Sequence, residues 1–320
     1  MFFPRRRFAY LMGIVAALVV TIPIMAAQKD LTKTQVDAIS SRTTVVIAQG
    51  LQKGDIEARQ EWNPGSGVIV ARSGNVYYVL TALHVVRTRD VVYGVRTSDG
   101  EVHFVDDVET HDNIHFFGKE DENLGETIKG FDLAIVKFKS DKNYPLAVMG
   151  KSQGMEKGEA IYISGWPNPE EETARRERKF SAGNLTTIVN QPSGDGGYSM
   201  LYDNQTRRGM SGGPVFNSSG ELIGIHGRGR AQDNVYCIDP KLSAENSCGI
   251  QSLHFLSEVE LAKIPLRFKE PPVDLGEIEK LPVDDVIENI YEEFTFDKAA
   301  LLRDGPSGGC ESLLLGDPCP

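Results

Sequence analysis

The sequence predicts an all-β chain folded as two antiparallel barrels or sandwiches, and three observations carry this. Short β-rich apolar runs recur along the chain, separated by Gly, Asn and Asp clusters. The runs fall into two sets, one on either side of residue 145. No amphipathic helices alternate with them in the manner of a parallel α/β sheet, and the 32 glycines favour strands and turns.

The first set comprises Thr43 to Ala48, Gly67 to Ala71, Val76 to Thr81, Val91 to Arg96 and Leu133 to Phe138. The second comprises Ala160 to Ser164, Leu185 to Val189, Ser199 to Tyr202, Pro214 to Asn217 and Leu222 to His226. Residues 36–145 are expected to form the first barrel and 146–265 the second. Pro167 to Lys179 (PNPEEETARRERK) carries charges of both signs and is expected to be a solvent-exposed loop or short helix. Residues 266–320 form an acidic tail. It opens on Pro271-Pro272, has helical potential from Val286 to Leu302 and ends Gly/Pro-rich, so it is expected to be partly helical or disordered.

Residues 1–27 read as a targeting segment. Arg5-Arg6-Arg7 precede an apolar run from Phe8 to Met25 that is broken by Pro23, and Ala26-Ala27 offer small residues for cleavage. A cleaved signal peptide is the preferred reading and an uncleaved membrane anchor the alternative. Either implies export to the periplasm or the extracellular space. Export permits disulfides among Cys237, Cys248, Cys310 and Cys319. Of three connectivities, the local pairs Cys237 with Cys248 and Cys310 with Cys319 are the simplest. The spacing fits no zinc knuckle, and no metal or cofactor is expected. The net charge of −11 disfavours nucleic acid as a partner.

The chemistry centres on Ser211, in Gly209-Met210-Ser211-Gly212-Gly213-Pro214. Glycines at these offsets suit a nucleophile on a tight turn where a substrate carbonyl can approach backbone N–H groups, those of Gly209 and Ser211 forming the oxyanion hole. His84, in TALHVV at the end of a strand, is placed to act as general base. Asp132 leads the apolar run FDLAIVKF. A carboxylate entering so apolar a segment needs a partner, and an imidazole Nδ1–H would supply one. The GxSxG elbow of α/β-hydrolases is absent, since Met210 and Gly212 flank the serine.

TALHVV, FDLAIVKF and GMSGGPVF together resemble the chymotrypsin-fold (trypsin-like) serine peptidases over roughly residues 40 to 260. The resemblance implies two six-stranded β-barrels with His84, Asp132 and Ser211 in the cleft between them. Met210 stands where that family usually has an acidic residue or Asn. The family's pocket-floor position falls on Gln205, which disfavours a preference for Arg or Lys. The runs Tyr202 to Thr206 and Gly224 to Gly227 are similar to the bacterial glutamyl endopeptidases, a similarity that assigns Thr206 and His226 to a substrate carboxylate. Arg207 and Arg208 would add positive potential. No equivalent of that subfamily's free α-amino terminus is identifiable, and no second PDZ-like domain is expected. Against the acidic specificity stands the reading of GIHGRG as a strand and turn common to relatives of varied specificity.

The expected function is therefore an exported serine endopeptidase that works through an acyl-enzyme on polypeptide substrates, cutting after Glu or Asp. The alternatives are a non-catalytic binding or scaffold protein on the same fold, and an esterase. His111 to His115 (HDNIH) reads as a loop before it reads as a metal site. The sequons at Asn184, Asn204 and Asn217 are frequent by chance and carry no weight.

Overall fold

The computed structural model describes residues 30–88, 91–105, 113–120, 127–171, 174–230, 237–238, 244–261, 268–270 and 292–294. Residues 1–27, expected to be a targeting segment, and Cys310, Cys319, His111, Asp112 and nearly all of the 266–320 tail lie outside the described residues.

The chain enters through helix α1 (Lys33–Thr43). Thr32 caps it: its hydroxyl accepts from the Gln35 N–H while the Gln35 side chain accepts from the Thr32 N–H, a reciprocal pair that satisfies two orphan donors. Seven strands follow: β1 (Thr44–Gln49), β2 (Gly65–Ser73), β3 (Val76–Thr81), β4 (Tyr93–Arg96), β5 (Val102–Val105), β6 (Ile114–Glu120) and β7 (Ile128–Lys139). They form one antiparallel sheet in the order β5-β4-β1-β2-β3-β7-β6. Six more strands close a barrel: β8 (Ala160–Gly165), β9 (Lys179–Ile188), β10 (Met200–Tyr202), β11 (Pro214–Asn217), β12 (Leu222–Arg228) and β13 (Ser247–Gln251). Their order is β10-β13-β12-β11-β8-β9, the last pairing back to the first. A second helix, α2 (Ser252–Leu261), continues from β13, and Phe268–Glu270 pairs with Glu292–Phe294 as a separate two-stranded ribbon.

The expectation of two closed six-stranded barrels needs one correction. The second unit is such a barrel; the first is a curled seven-stranded sheet whose edge strands β5 and β6 share no ladder. Aromatic packing closes the gap instead. The His103 ring of β5 stacks on Phe138 of β7 at 4.6 Å, and its Nε2 meets the Tyr144 hydroxyl at 2.8 Å. Tyr77 stacks on Phe138 from the other side at 5.2 Å. Apolar and aromatic burial thus does what edge hydrogen bonds would do in a closed barrel.

The two units are joined through backbone. Ala147 N–H donates to Ile69 O in the sheet, while Val148 O and Gly150 N–H bond Leu222 in the barrel. The core is continuous across this strap: Val68, Leu80, Leu133 and Ile135 from the sheet belong to one buried cluster with Leu201, Phe216 and Ile225 from the barrel. Burial on this scale, at roughly 25 cal/mol per Å² of apolar surface, fixes the cleft between the units.

Candidate active site

His84 sits in a single 3-10 turn (Leu83–Val85) immediately after β3. Leu83 and Val85 are buried and pin the turn, leaving the histidine side chain partly exposed between them. Asp132 lies within β7 and is fully buried. Its Oδ1 accepts the His84 backbone N–H at 2.9 Å, and its Oδ2 faces His84 Nδ1 at 2.6 Å. Two contacts to one residue fix both the position and the orientation of the ring. Nδ1 carries the proton that the carboxylate accepts, which leaves the lone pair on Nε2. Burial alone would raise the Asp132 carboxyl, but His84 and the surrounding donors hold it below the usual carboxylate range.

Ser211 stands on the turn between Arg207 and Pro214, where geometry demands glycine at Gly209, Gly212 and Gly213, the last because a Cβ there would lie 2.2 Å from Ser164 O. Gly209 has φ +97°, and a Cβ there would lie 2.7 Å from Trp166 O and 2.9 Å from Asn168 N. Gly212 has φ +82°, and a Cβ there would lie 2.2 Å from both Ser66 O and Thr81 Oγ1. The turn therefore rests directly on the end of β3 that leads to His84. Ser66 N–H donates to Ser211 O at 2.8 Å, and Ser66 Oγ donates to Gly209 O at 2.8 Å. The Ser211 hydroxyl itself donates to Gly227 O at 3.0 Å; among the described residues it makes no hydrogen bond to His84.

The peptide before Gly209 is anchored from outside. Arg208 O accepts from Asn168 N–H at 2.8 Å. A trans peptide is planar, so fixing that carbonyl on Asn168 turns the Gly209 N–H to the opposite side. Among the described residues neither the Gly209 nor the Ser211 N–H has an acceptor within the protein.

Arg176, in the segment expected to be solvent-exposed, is buried. It donates to Ala58 O at 3.0 Å, Trp166 O at 2.8 Å and Asn168 Oδ1 at 2.7 Å. Burial draws its guanidinium down to about 10, the Arg96 charge adding and Glu57 opposing. Its neighbour Arg178 turns inward to Asp37 at 2.6 Å and Ser164 at 3.0 Å. The mixed charge of this segment is thus partly a set of inward anchors.

Of the residues assigned to a substrate side chain, Gln205 is exposed and Thr206 is partly buried, its hydroxyl 3.0 Å from Ser247 Oγ. His226 is buried, with Nδ1 2.7 Å from the Tyr202 hydroxyl. Burial first, and the nearby His84 second, pull His226 down to about 3, so it is neutral at physiological pH. Arg207 is tied to Glu170 at 2.5 Å, and Arg208 is exposed. The Asn204 sequon side chain is buried and donates to Ser181 O at 2.8 Å. Cys237 and Cys248 are joined in a disulfide, the local pairing expected for them. Among the described residues no cluster of three or more His, Cys, Asp or Glu is placed to hold a metal.

Sequence reasoning overlooked Tyr198, whose buried hydroxyl donates to Asp132 Oδ2 at 2.5 Å. The fold makes room for it at Gly227, where a Cβ would stand 2.2 Å from the Tyr198 ring.

Residues 65–225 match the model of the trypsin-like peptidase domain. Over 176 residues the chain is 27% identical to a probable periplasmic serine endoprotease DegP-like of Marinomonas sp. (strain MWYL1), covering 55% of this chain and 32% of that protein. Over 162 residues it is 26% identical to serine protease HTRA1 of Xenopus tropicalis, covering 51% and 30%. The match thus spans about a third of the length of these curated relatives. Two structures of the HtrA-type protease AlgW with tripeptide superpose with TM-scores of 0.51 and 0.50 at 19% and 20% identity, covering 78% and 73% of this chain and 72% and 64% of theirs. At that identity they speak for the fold, which is chymotrypsin-like. With its motifs, fold and family match in agreement, the chain belongs to the trypsin-like peptidase family.

Proposed function

We propose that the protein is a serine endopeptidase acting through a covalent acyl-enzyme, with His84, Asp132 and Ser211 as its catalytic residues. The observation that carries this is the buried Asp132 holding His84 by two contacts beside a serine turn with two N–H groups that have no acceptor among the described residues. Rotation about the Ser211 Cα–Cβ bond releases the hydroxyl from Gly227 O and brings it to His84 Nε2. Oγ then attacks the substrate carbonyl carbon while its proton passes to Nε2. The electron pair displaced onto the carbonyl oxygen is received by the Gly209 and Ser211 N–H groups. The Nε2 proton goes to the departing amine, the C–N bond breaks and an ester remains on Ser211. Water repeats the sequence in reverse roles and frees the acid. Asp132 keeps the reactive tautomer and faces the imidazolium without taking the proton. None of these steps calls for a cofactor.

The proposed specificity is for Glu or Asp before the scissile bond. It rests on hydroxyls at Thr206 and Ser247 and an imidazole at His226, gathered between β10, β12 and β13. His226 is neutral, so a carboxylate arriving there would be met by hydrogen bonds, and its charge would favour protonation of the ring. Cleavage-site profiling on a peptide library tests this. Cuts mainly after Glu and Asp are expected, and cuts mainly after Arg, Lys or large apolar residues would remove the specificity while leaving the mechanism.

The proposed location is outside the cytoplasm. The basic-apolar run at residues 5–25, the disulfide and the periplasmic description of the Marinomonas relative support it. Among the described residues no helix is long and apolar enough to cross a membrane. The proposed anchoring concerns residues 1–27, and mass spectrometry of the mature N-terminus decides between cleavage and retention.

A further inference from the structure

Asp132 receives a third donor, from the opposite unit of the fold. Residues 193–198 connect β9 to β10 in the barrel and reach across to β7. Gly196 O accepts the Asp132 N–H at 2.9 Å, Gly196 N–H donates to Ile128 O at 2.8 Å, and Asp195 Oδ1 accepts the Ile128 N–H at 2.9 Å. These bonds bracket Asp132 on its own strand. Gly196 and Gly197 take φ +75° and +70°, and a Cβ on Gly197 would stand 2.3 Å from the Phe131 ring, so the connection fits only with glycine there. Tyr198 follows at once. It is fully buried, and its hydroxyl donates to Asp132 Oδ2, the oxygen that faces His84 Nδ1. Burial and the Asp132 charge raise the phenol well above its ordinary value, so it remains an O–H donor throughout the pH range of the protein. Arg228 lies over the outer face of the ring at 4.8 Å and is held by Asp195 Oδ2 at 2.7 Å. Gly227 vacates the space that the ring fills.

We propose that Tyr198 is a positioning residue for the catalytic histidine, acting through Asp132, and that the 193–198 connection exists to deliver it across the cleft. The inference rests on the serine-peptidase reading above. Physically, Oδ2 shared between the phenol and the imidazole has a fixed direction, and the phenol draws charge from it. Without the phenol the carboxylate is freer to turn and more basic toward the imidazole. Among the described residues, the charged and titratable groups around the pair are Tyr198 and Asp195 from the connection and His226 and Arg228 from β12. Among the described residues only Tyr198 joins His84 in bonding the carboxylate.

The test needs no knowledge of the natural substrate. The rate of covalent labelling of Ser211 by a fluorophosphonate is measured from pH 5 to 9 for the full chain, for Tyr198→Phe and for site-specific 3-fluorotyrosine at position 198. Tyr198→Phe is expected to label about 10- to 100-fold more slowly, the worth of one charge-assisted hydrogen bond, with the acid-limb midpoint moved to higher pH. The fluorinated phenol is a stronger donor and nearly isosteric, and moves the midpoint to lower pH. Because stability falls with acid, loss of stability in a variant could move its midpoint only to higher pH, so it cannot imitate the shift to lower pH expected of the fluorinated protein. Wild-type midpoints in both variants overturn the inference and leave the peptidase reading intact. Failure of the unaltered chain to label at Ser211 overturns that reading itself.

Discussion

Asp132 shows how one residue combines a structural cost with a chemical use. A buried carboxylate is expensive unless its oxygens are fully engaged, and here His84 and Tyr198 engage them. Asp132→Asn keeps the size but presents an amide N–H or a weaker acceptor to Nδ1, which favours the wrong tautomer. Activity on a cleavable peptide is expected to fall by about 10⁴, with far-UV circular dichroism unchanged; near-normal turnover would remove Asp132 from the mechanism. Gly209→Ala acts on the other half of the chemistry. The new Cβ meets Trp166 O in a left-handed backbone conformation, so the turn must shift and carry its N–H out of line. A loss of about 10² to 10³ in kcat with little change in KM is expected, read from steady-state kinetics. The residue types of the proposed triad could be picked out in sequence because each stands in a motif whose neighbours suit the same task. Tyr198 was not, because its role depends on a contact 66 positions away in the chain.

At the scale of elements, strands with strong apolar content were legible and short polar ones were not. β3 and β11 run as their sequences imply, whereas β5, β6 and β13 were overlooked. β13 reads Ser-Cys-Gly-Ile-Gln, with little alternation, and is a strand because β10 and β12 flank it. β6 mixes aromatics with charge and is broken by a bulge at Phe116/Gly118. The first sheet was expected to close because the family resemblance implies two six-stranded barrels, and sequence cannot say whether core aromatics close a ladder or replace one. The Pro167–Lys179 segment is exposed at most of its described charged positions, as expected, and departs from that only where Arg176 and Arg178 turn inward. Charge in a sequence suggests water, but Arg176 is surrounded by carbonyl acceptors that only the fold assembles. Arg176→Met should leave Ala58 O, Trp166 O and Asn168 Oδ1 without their donor, at a cost of about 2–4 kcal/mol in unfolding free energy. Because Asn168 N–H holds Arg208 O, the same variant should slow fluorophosphonate labelling of Ser211. Urea titration and labelling kinetics measure the two effects separately, and an unchanged labelling rate would show that the segment stabilises the fold without serving the oxyanion turn.

For the whole molecule, the cleft between the units is where burial, charge and chemistry meet, and this makes stability sensitive to acid. His226 lies beneath the site and is drawn down to about 3 by burial and by His84. His254, on α2 against the Phe131 ring, is drawn down to about 4 by burial. A histidine in the unfolded chain titrates near 6.5. Between that value and the folded one the unfolded state binds the proton and the folded state does not, so the stability each group contributes is present above about pH 6.5 and lost as pH falls. Asp132 adds to the loss lower down: its folded value lies below that of a free carboxyl, so its contribution disappears as pH drops below about 4. From pH 7 to pH 5, His226 alone should cost about 2 kcal/mol, a sizeable part of the 5–15 kcal/mol that holds a typical domain together. Urea midpoints at pH 7, 6 and 5 should therefore fall steadily for the full chain, and His226→Asn should flatten much of that slope even if it lowers stability at pH 7. A slope equal in the two proteins would mean that His226 shares its proton with solvent in the folded state, and with that the neutral imidazole required for hydrogen-bond recognition at the specificity site would be lost.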